Sequence, residues 1–164
     1  MARREQGADL LATKFKLVTI AQLRSSAGQR LAEFIPEAPK LTGHAVQARV
    51  YAEDPKRFLP SPGPLREFSP PRAPHIRVET GYRAGREVTP HYDPLLAKVI
   101  ARGATRHEAI DRLVEALGAF RIEGIKHNIP ALCAILASEE FREGRVHTGL
   151  AAEVVARTPA EAKP

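Results

Sequence analysis

Apolar residues along this chain repeat with two different periods. Over 44–52 they alternate: Val46, Ala48, Val50 and Ala52 share one side, and Gln47, Arg49 and Tyr51 share the other. A period of two marks a strand with one covered face. The alternation returns over 75–80, where Ile76 and Val78 oppose His75, Arg77 and Glu79. After 105 the period becomes helical. Ile110, Leu113, Val114 and Leu117 form one stripe, Thr105 and Glu108 stand at capping-box spacing, and Gly118 offers a stop. An earlier helix is expected over 9–27, capped by Asp9 and closed by Gly28, with Leu11, Phe15, Val18 and Gln22 on one face. Another is expected after Asn128, read as its cap, with Pro130 in the first turn and Leu132, Ile135 and Leu136 facing inward.

Between these segments the chain is irregular. Seven prolines fall within 55–74, which forbids a helix there and leaves room for one short strand over 65–68. Gly81 and Gly85 bracket a hairpin-like return, and a short strand is expected over 120–122. The apolar run 95–101 is too short for periodicity to decide its state. A helix, several antiparallel strands and then further helices predict an α+β fold, an antiparallel sheet with flanking helices. The expected division is an N-terminal helix and connector over 1–42, a main domain over 43–150 and a flexible tail over 151–164.

Composition narrows the function. The chain has 164 residues, 43% of them hydrophobic and 27% charged, and one cysteine. Cys133 stands alone among Leu132, Ile135 and Leu136, so it reads as a core residue in a reducing, cytoplasmic setting. No apolar run approaches the roughly 20 residues that span a bilayer, which argues against a membrane partner, and Lys14 and Lys16 break the only leader-like stretch. The net charge is +6 and the pI about 9.8. The basic residues are scattered rather than clustered, which argues for a solvated surface over a nucleic-acid site.

No glycine-rich phosphate loop, zinc motif or nucleophile elbow is present. His91 and Asp93 lie two apart within Pro90–Pro94 but lack a third ligand, so a turn is the simpler reading and no metal site is assigned. One polar group remains of interest. Arg77 shares a strand face with Glu79, and a guanidinium held by a carboxylate on a rigid strand suits a carbonyl, carboxylate or enolate oxygen. By pattern alone, a solvated strand face accounts for the same residues.

Five stretches, taken together, carry a resemblance: "GHAVQARVYAEDPKRFLPSPG" at 43–63, "IRVETGYRAG" at 76–85, "PHYDPLLAKVIARG" at 90–103, "RHEAIDRLVEAL" at 106–117 and "IEGIKHNIPAL" at 122–132. In order and spacing they resemble the C-terminal domain of biotin carboxylase. The resemblance implies part of an enzyme that uses ATP and bicarbonate to carboxylate biotin on a carrier protein. It implies that Arg77 contacts biotin and that no catalytic residue lies in this chain. ATP and magnesium would bind through an ATP-grasp domain, which the chain is expected to lack, leaving it inactive alone. The implied partners are an ATP-grasp half or other carboxylase subunits, a biotin carboxyl carrier protein, and a second copy in a homodimer. The alternative is a non-catalytic interaction or dimerisation module derived from a biotin carboxylase.

Overall fold

The protein is described by a computed structural model over residues 23–33 and 42–158. Packing divides the chain into two units, Met1–Leu41 and Thr42–Pro164. In the first, residues 23–26 are helical, and Gly28 closes the turn at φ +86 with its N–H on the Ser25 carbonyl at 3.0 Å. The remainder of the helix expected over 9–27 lies outside the described residues. A 3-10 turn follows at Leu31–Glu33.

The second unit is built on a three-stranded antiparallel sheet. Its strands are β1 (His44–Tyr51), β4 (Ile76–Thr80) and, between them, β6 (Leu95–Gly103). The apolar run that periodicity left open is therefore the central strand. Its position explains its composition: Leu96, Ala97, Val99 and Ala101 are all at most 1% exposed. Two small antiparallel pairs complete the β structure: β2 (Gly63–Pro64) with β5 (Glu87–Val88), and β3 (Glu67–Ser69) with β7 (Arg121–Glu123). The proline-rich segment thus holds two short strands in place of the single one expected over 65–68. Phe68 packs edge-on against Phe120, with ring centres 5.2 Å apart.

One face of the sheet is covered by α1 (Arg106–Ala119). Ile110, Leu113 and Leu117 pack into one core with Val46, Val50, Leu96 and Val99. The predicted cap is present in part. Thr105 Oγ1 accepts from the Glu108 amide at 3.2 Å, while the Glu108 carboxylate accepts from the amide of Ala104, one residue before the cap. The approach of helix to strand is close. A Cβ on Gly103 would stand 2.6 Å from the Ala109 nitrogen, and one on Gly43, at φ +71, would stand 2.6 Å from the Gly103 carbonyl oxygen. Only glycine allows the first turn of α1 and the start of β1 to converge on the end of β6.

Three expectations are corrected here. Gly118 does not end α1, which runs on to Ala119 because backbone hydrogen bonds continue through it to Phe120. Residues 151–157, placed in a flexible tail, belong to α4 (Leu150–Arg157), since Leu150 and Val154 are buried. The expected tail residues 159–164 lie outside the described residues. Asn128 does not cap α2 (Ile129–Ala137) with its side chain. Its amide nitrogen instead donates to the Arg49 carbonyl at 3.1 Å, and its amide oxygen accepts from the Tyr51 N–H at 2.9 Å. At 6% exposure it is the buried polar residue of the described core.

A short helix, α3 (Glu139–Arg142), links α2 towards α4. Arg106 fastens it to α1, donating to the carbonyls of Phe141 at 2.7 Å and Arg142 at 3.3 Å while lying 5.0 Å from the Phe141 ring centre. The cation meets carbonyls at the C-terminal end of α3, where the Phe141 oxygen also accepts from the Gly144 amide at 3.2 Å.

The Asn128 contact generates a prediction. Asn128→Ala leaves the part-buried Tyr51 N–H and Arg49 C=O without their side-chain partner, and should destabilise the domain by about 2–4 kcal/mol. Urea unfolding followed by circular dichroism measures this; a loss under about 0.5 kcal/mol contradicts the assignment.

Candidate functional site

Arg77 is the second residue of β4, an edge strand of the three-stranded sheet. Ile76 and Val78 turn to the core, which sends Arg77 and Glu79 to the opposite face. The guanidinium Nε lies 3.0 Å from Glu79 Oε1, with the side chains 46% and 58% exposed. Sequence reasoning placed these two residues on one face, and the structure joins them in an ion pair. Across the ladder, Arg77 is opposite Ile100 and Glu79 is opposite Lys98. Chemically, this is an exposed cation with one flank set by a carboxylate, able to donate to an oxygen arriving from the open face.

The stretch 52–63 has a structural task of its own. Asp54 Oδ1 accepts from the amides of Lys56 and Arg57, both at 3.0 Å, and Oδ2 meets Lys126 Nζ at 2.8 Å. The turn closes on itself: Asp54 N–H donates to the Leu59 carbonyl, and Ser61 N–H donates to the Ala52 carbonyl, both at 2.8 Å. Ser61 Oγ then accepts from the Lys126 amide at 3.0 Å. The turn is thereby stitched to the loop that carries His127 and Asn128. Lys126 and the two turn amides hold the Asp54 carboxyl far below the usual carboxylate range. Burial, and then the charge of Asp93, push neighbouring Glu53 the other way. Asp93 is itself engaged, its Oδ1 accepting from the Leu95 amide at 2.8 Å, while His91 is exposed.

Two open clefts do not have Arg77 in their lining. One, of about 490 Å³, is bounded by Thr42, His75, Arg102, Glu108 and Arg112. Its polar groups satisfy one another: Arg112 binds Glu108 and the Arg102 carbonyl, and Arg102 reaches Thr42 Oγ1 at 3.2 Å. The other, of about 460 Å³, lies between Phe58 and the Ala152, Val155 and Ala156 side of α4. Among the described residues no group of three His, Cys, Asp or Glu side chains could hold a metal ion.

Against known families, residues 47–153 match the model of the biotin carboxylase C-terminal domain. The chain belongs to that family. Biotin carboxylase 2 of Bacillus subtilis is 46% identical over 127 residues, a match covering 77% of this chain and 28% of the relative. The alpha subunit of mitochondrial methylcrotonoyl-CoA carboxylase from Rattus norvegicus is 42% identical over 129 residues, covering 77% of this chain and 18% of the relative. Among solved structures, the biotin carboxylase domain dimer of Hydrogenobacter thermophilus 2-oxoglutarate carboxylase, crystallised with MgADP, ADP and bicarbonate, superposes with a TM-score of 0.74 at 36% identity. That match covers 85% of this chain and 31% of the other. The chain thus spans less than a third of the length of these biotin carboxylase relatives. The likeness extends to the mixed helix and strand architecture with antiparallel sheets found here.

Some features of this biotin carboxylase C-terminal domain were missed in the sequence. His127 is one: its Nδ1 is buried without a hydrogen-bond partner among the described residues, and burial lowers its pKa. No spacing rule signals such a nitrogen, because it depends on how the loop after β7 folds over the sheet. Together His127 and Asp54 predict a two-stage acid response. Both groups have folded pKa values below their unfolded ones, so the unfolded chain binds more protons and stability falls with falling pH. The His127 contribution is lost as the pH drops below the ordinary histidine value of 6.5, and the Asp54 contribution below 3.8. Chemical denaturation from pH 8 to pH 3 should show both stages. His127→Leu should flatten the upper one and leave the lower; an unchanged upper stage contradicts this origin.

Proposed function

We propose that this domain works as part of a biotin carboxylase, with Arg77 as its contact to biotin. The observation that carries the reading is the Arg77–Glu79 ion pair on a strand inside the family-matched region. In ATP- and bicarbonate-dependent carboxylation, the biotin ureido group develops negative charge on its oxygen when its nitrogen is deprotonated. A cation already positioned there lowers the barrier most where that charge grows. Glu79 restrains the Arg77 guanidinium at Nε, limiting the reorganisation left to the reaction. Biotin, carried on a biotin carboxyl carrier protein, fits this donor set, since a planar fork matches a carbonyl-type oxygen. ATP and magnesium do not fit the described residues, which offer neither a carboxylate cluster nor a glycine-rich phosphate cradle. No step through them is assigned to this chain, and by itself it is inactive. An ATP-grasp half supplies those parts, and the free Cys133 suits a reducing compartment such as the cytoplasm.

A second reading, a docking or dimerisation module, draws on one observation. Phe58 and Leu59 are 40% and 53% exposed beside the apolar side of α4, a surface that suits another carboxylase subunit or a second copy. Arg106 is a poor candidate for such docking, because its guanidinium is committed to α3.

The test combines this chain with an ATP-grasp half, taken from the part of the Bacillus subtilis relative that it does not match. Bicarbonate-dependent ATP cleavage and free-biotin carboxylation are then measured. Arg77→Lys should lower biotin carboxylation by roughly 30- to 1000-fold, about 2–4 kcal/mol of transition-state stabilisation, and should spare biotin-independent ATP cleavage. Ile76→Asp, on the covered face, should unfold the domain instead. Carboxylation by Arg77→Lys at the parental rate would leave Arg77 a surface residue.

A further inference from the structure

The turn after β1 holds an aromatic ring out of the core. Phe58 sits at φ +55, a left-handed backbone conformation that bulky residues rarely adopt. Two hydrogen bonds of 2.8 Å fix it there: its N–H donates to the Asp54 carbonyl, and the Asp54 N–H donates to the carbonyl of Leu59. The Asp54 carboxylate braces the same turn, accepting from the amides of Lys56 and Arg57. A fixed turn thus keeps Phe58 and Leu59 exposed, while Leu65 and Phe68 a few positions on are buried.

The other wall of the cleft at Phe58 is α4. Leu150 and Val154 are its buried side, and Ala152, Val155 and Ala156 form a second apolar strip at helical spacing. The two alanines are exposed and fill little of the space. Lys56 is the charged residue of the lining. Among the described residues its ammonium makes no hydrogen bond or ion pair. The end of α4 has no need of that cation, because Thr158 caps it, its N–H and Oγ1 donating to the Val154 carbonyl at 3.1 and 2.9 Å. Arg57, next to Lys56, keeps only a loose 3.8 Å contact with Asp54, its side chain 69% exposed.

An apolar cleft with unspent cations at its lip favours a partner that brings apolar bulk and negative charge together. A second copy seated by the same surface would set Lys56 against its own image, in a chain whose net charge is already +6. We propose that this cleft docks an acidic segment of a partner protein, with one bulky apolar side chain seated between Phe58 and Val155 and a neighbouring carboxylate meeting Lys56. Docking of this kind builds on the second reading above and uses neither Arg77 nor Glu79.

The experiment is a nuclear magnetic resonance titration of the full chain at pH 7 with a blocked hexapeptide: two glutamates, a leucine, a phenylalanine and two glutamates, in that order. Saturable shifts are expected at residues 56–59 and 152–158. Lys56→Glu reverses the charge, Ala152→Leu fills the cleft, and Phe58→Gly removes the ring while suiting the left-handed backbone; each should weaken binding about tenfold. All three positions are exposed, so dispersed spectra are expected, and should one variant fail to fold the other two still read the cleft. Peptides with lysine in place of glutamate, or alanine in place of leucine and phenylalanine, should bind at least tenfold more weakly. Sedimentation of the chain, alone and with the ATP-grasp half, separates this docking from the broader reading. Peptide binding without any subunit association supports the cleft and removes a carboxylase subunit as its partner. Subunit association that all three variants leave intact, with no peptide binding, keeps the broader reading and overturns the cleft. Shifts that do not saturate, that fall elsewhere, or that survive both Lys56→Glu and Ala152→Leu overturn it too, as does a dimer of the chain that Ala152→Leu dissolves.

Discussion

The second unit depends on a buried amide. Asn128 stands where the loop from β7 enters α2, and its side chain spends both polar ends on the backbone of β1 at Arg49 and Tyr51. A helix is thereby fastened to a strand some 80 positions earlier by contacts of fixed geometry, which hydrophobic packing alone does not supply. Leu and Val side chains can slide past one another at little cost, whereas a buried amide tolerates one register. The Lys126–Asp54 and Lys126–Ser61 contacts repeat the stitch a few ångströms away on the turn that follows β1. Together they fix where β1 ends, and so which of its side chains reach the open face.

This arrangement gives the sheet two distinct roles. Its covered face is a conventional apolar core in which β6 does most of the packing, with α1 laid across it. Its other face keeps Gln47, Arg49, Arg77, Glu79, Lys98 and Ile100 on a rigid, shallow surface. Rigidity on one side is what makes preplaced charge on the other useful, because a donor on a mobile segment would have to be reorganised for each ligand.

Much of this was legible in the residues. Strict alternation gave β1 and β4, helical spacing gave α1, and both rest on local periodicity that needs no knowledge of neighbours. The Arg77–Glu79 pair was legible for the same reason, since residues two apart on a strand share a face. The identity of β6 as the central strand was not, because a strand buried on one face and half-buried on the other loses its alternation. Asn128 misled because a cap and a long-range clamp look alike in sequence. Both place an asparagine before a helix, and only the partner, far away in the chain, tells them apart. The cleft between Phe58 and α4 was hidden for a related reason: its two walls come from segments far apart in the chain.

Cys133 lies half-buried on α2, one turn beyond Asn128, and burial raises its thiol pKa. A single thiol so placed is slow to alkylate while α2 stays docked, since the thiolate is scarce and its approach is obstructed. Its rate of modification would then follow the fraction of time that the helix spends lifted from the sheet. The domain thus contains its own chemical clock for local opening, sited beside the contact that keeps it shut.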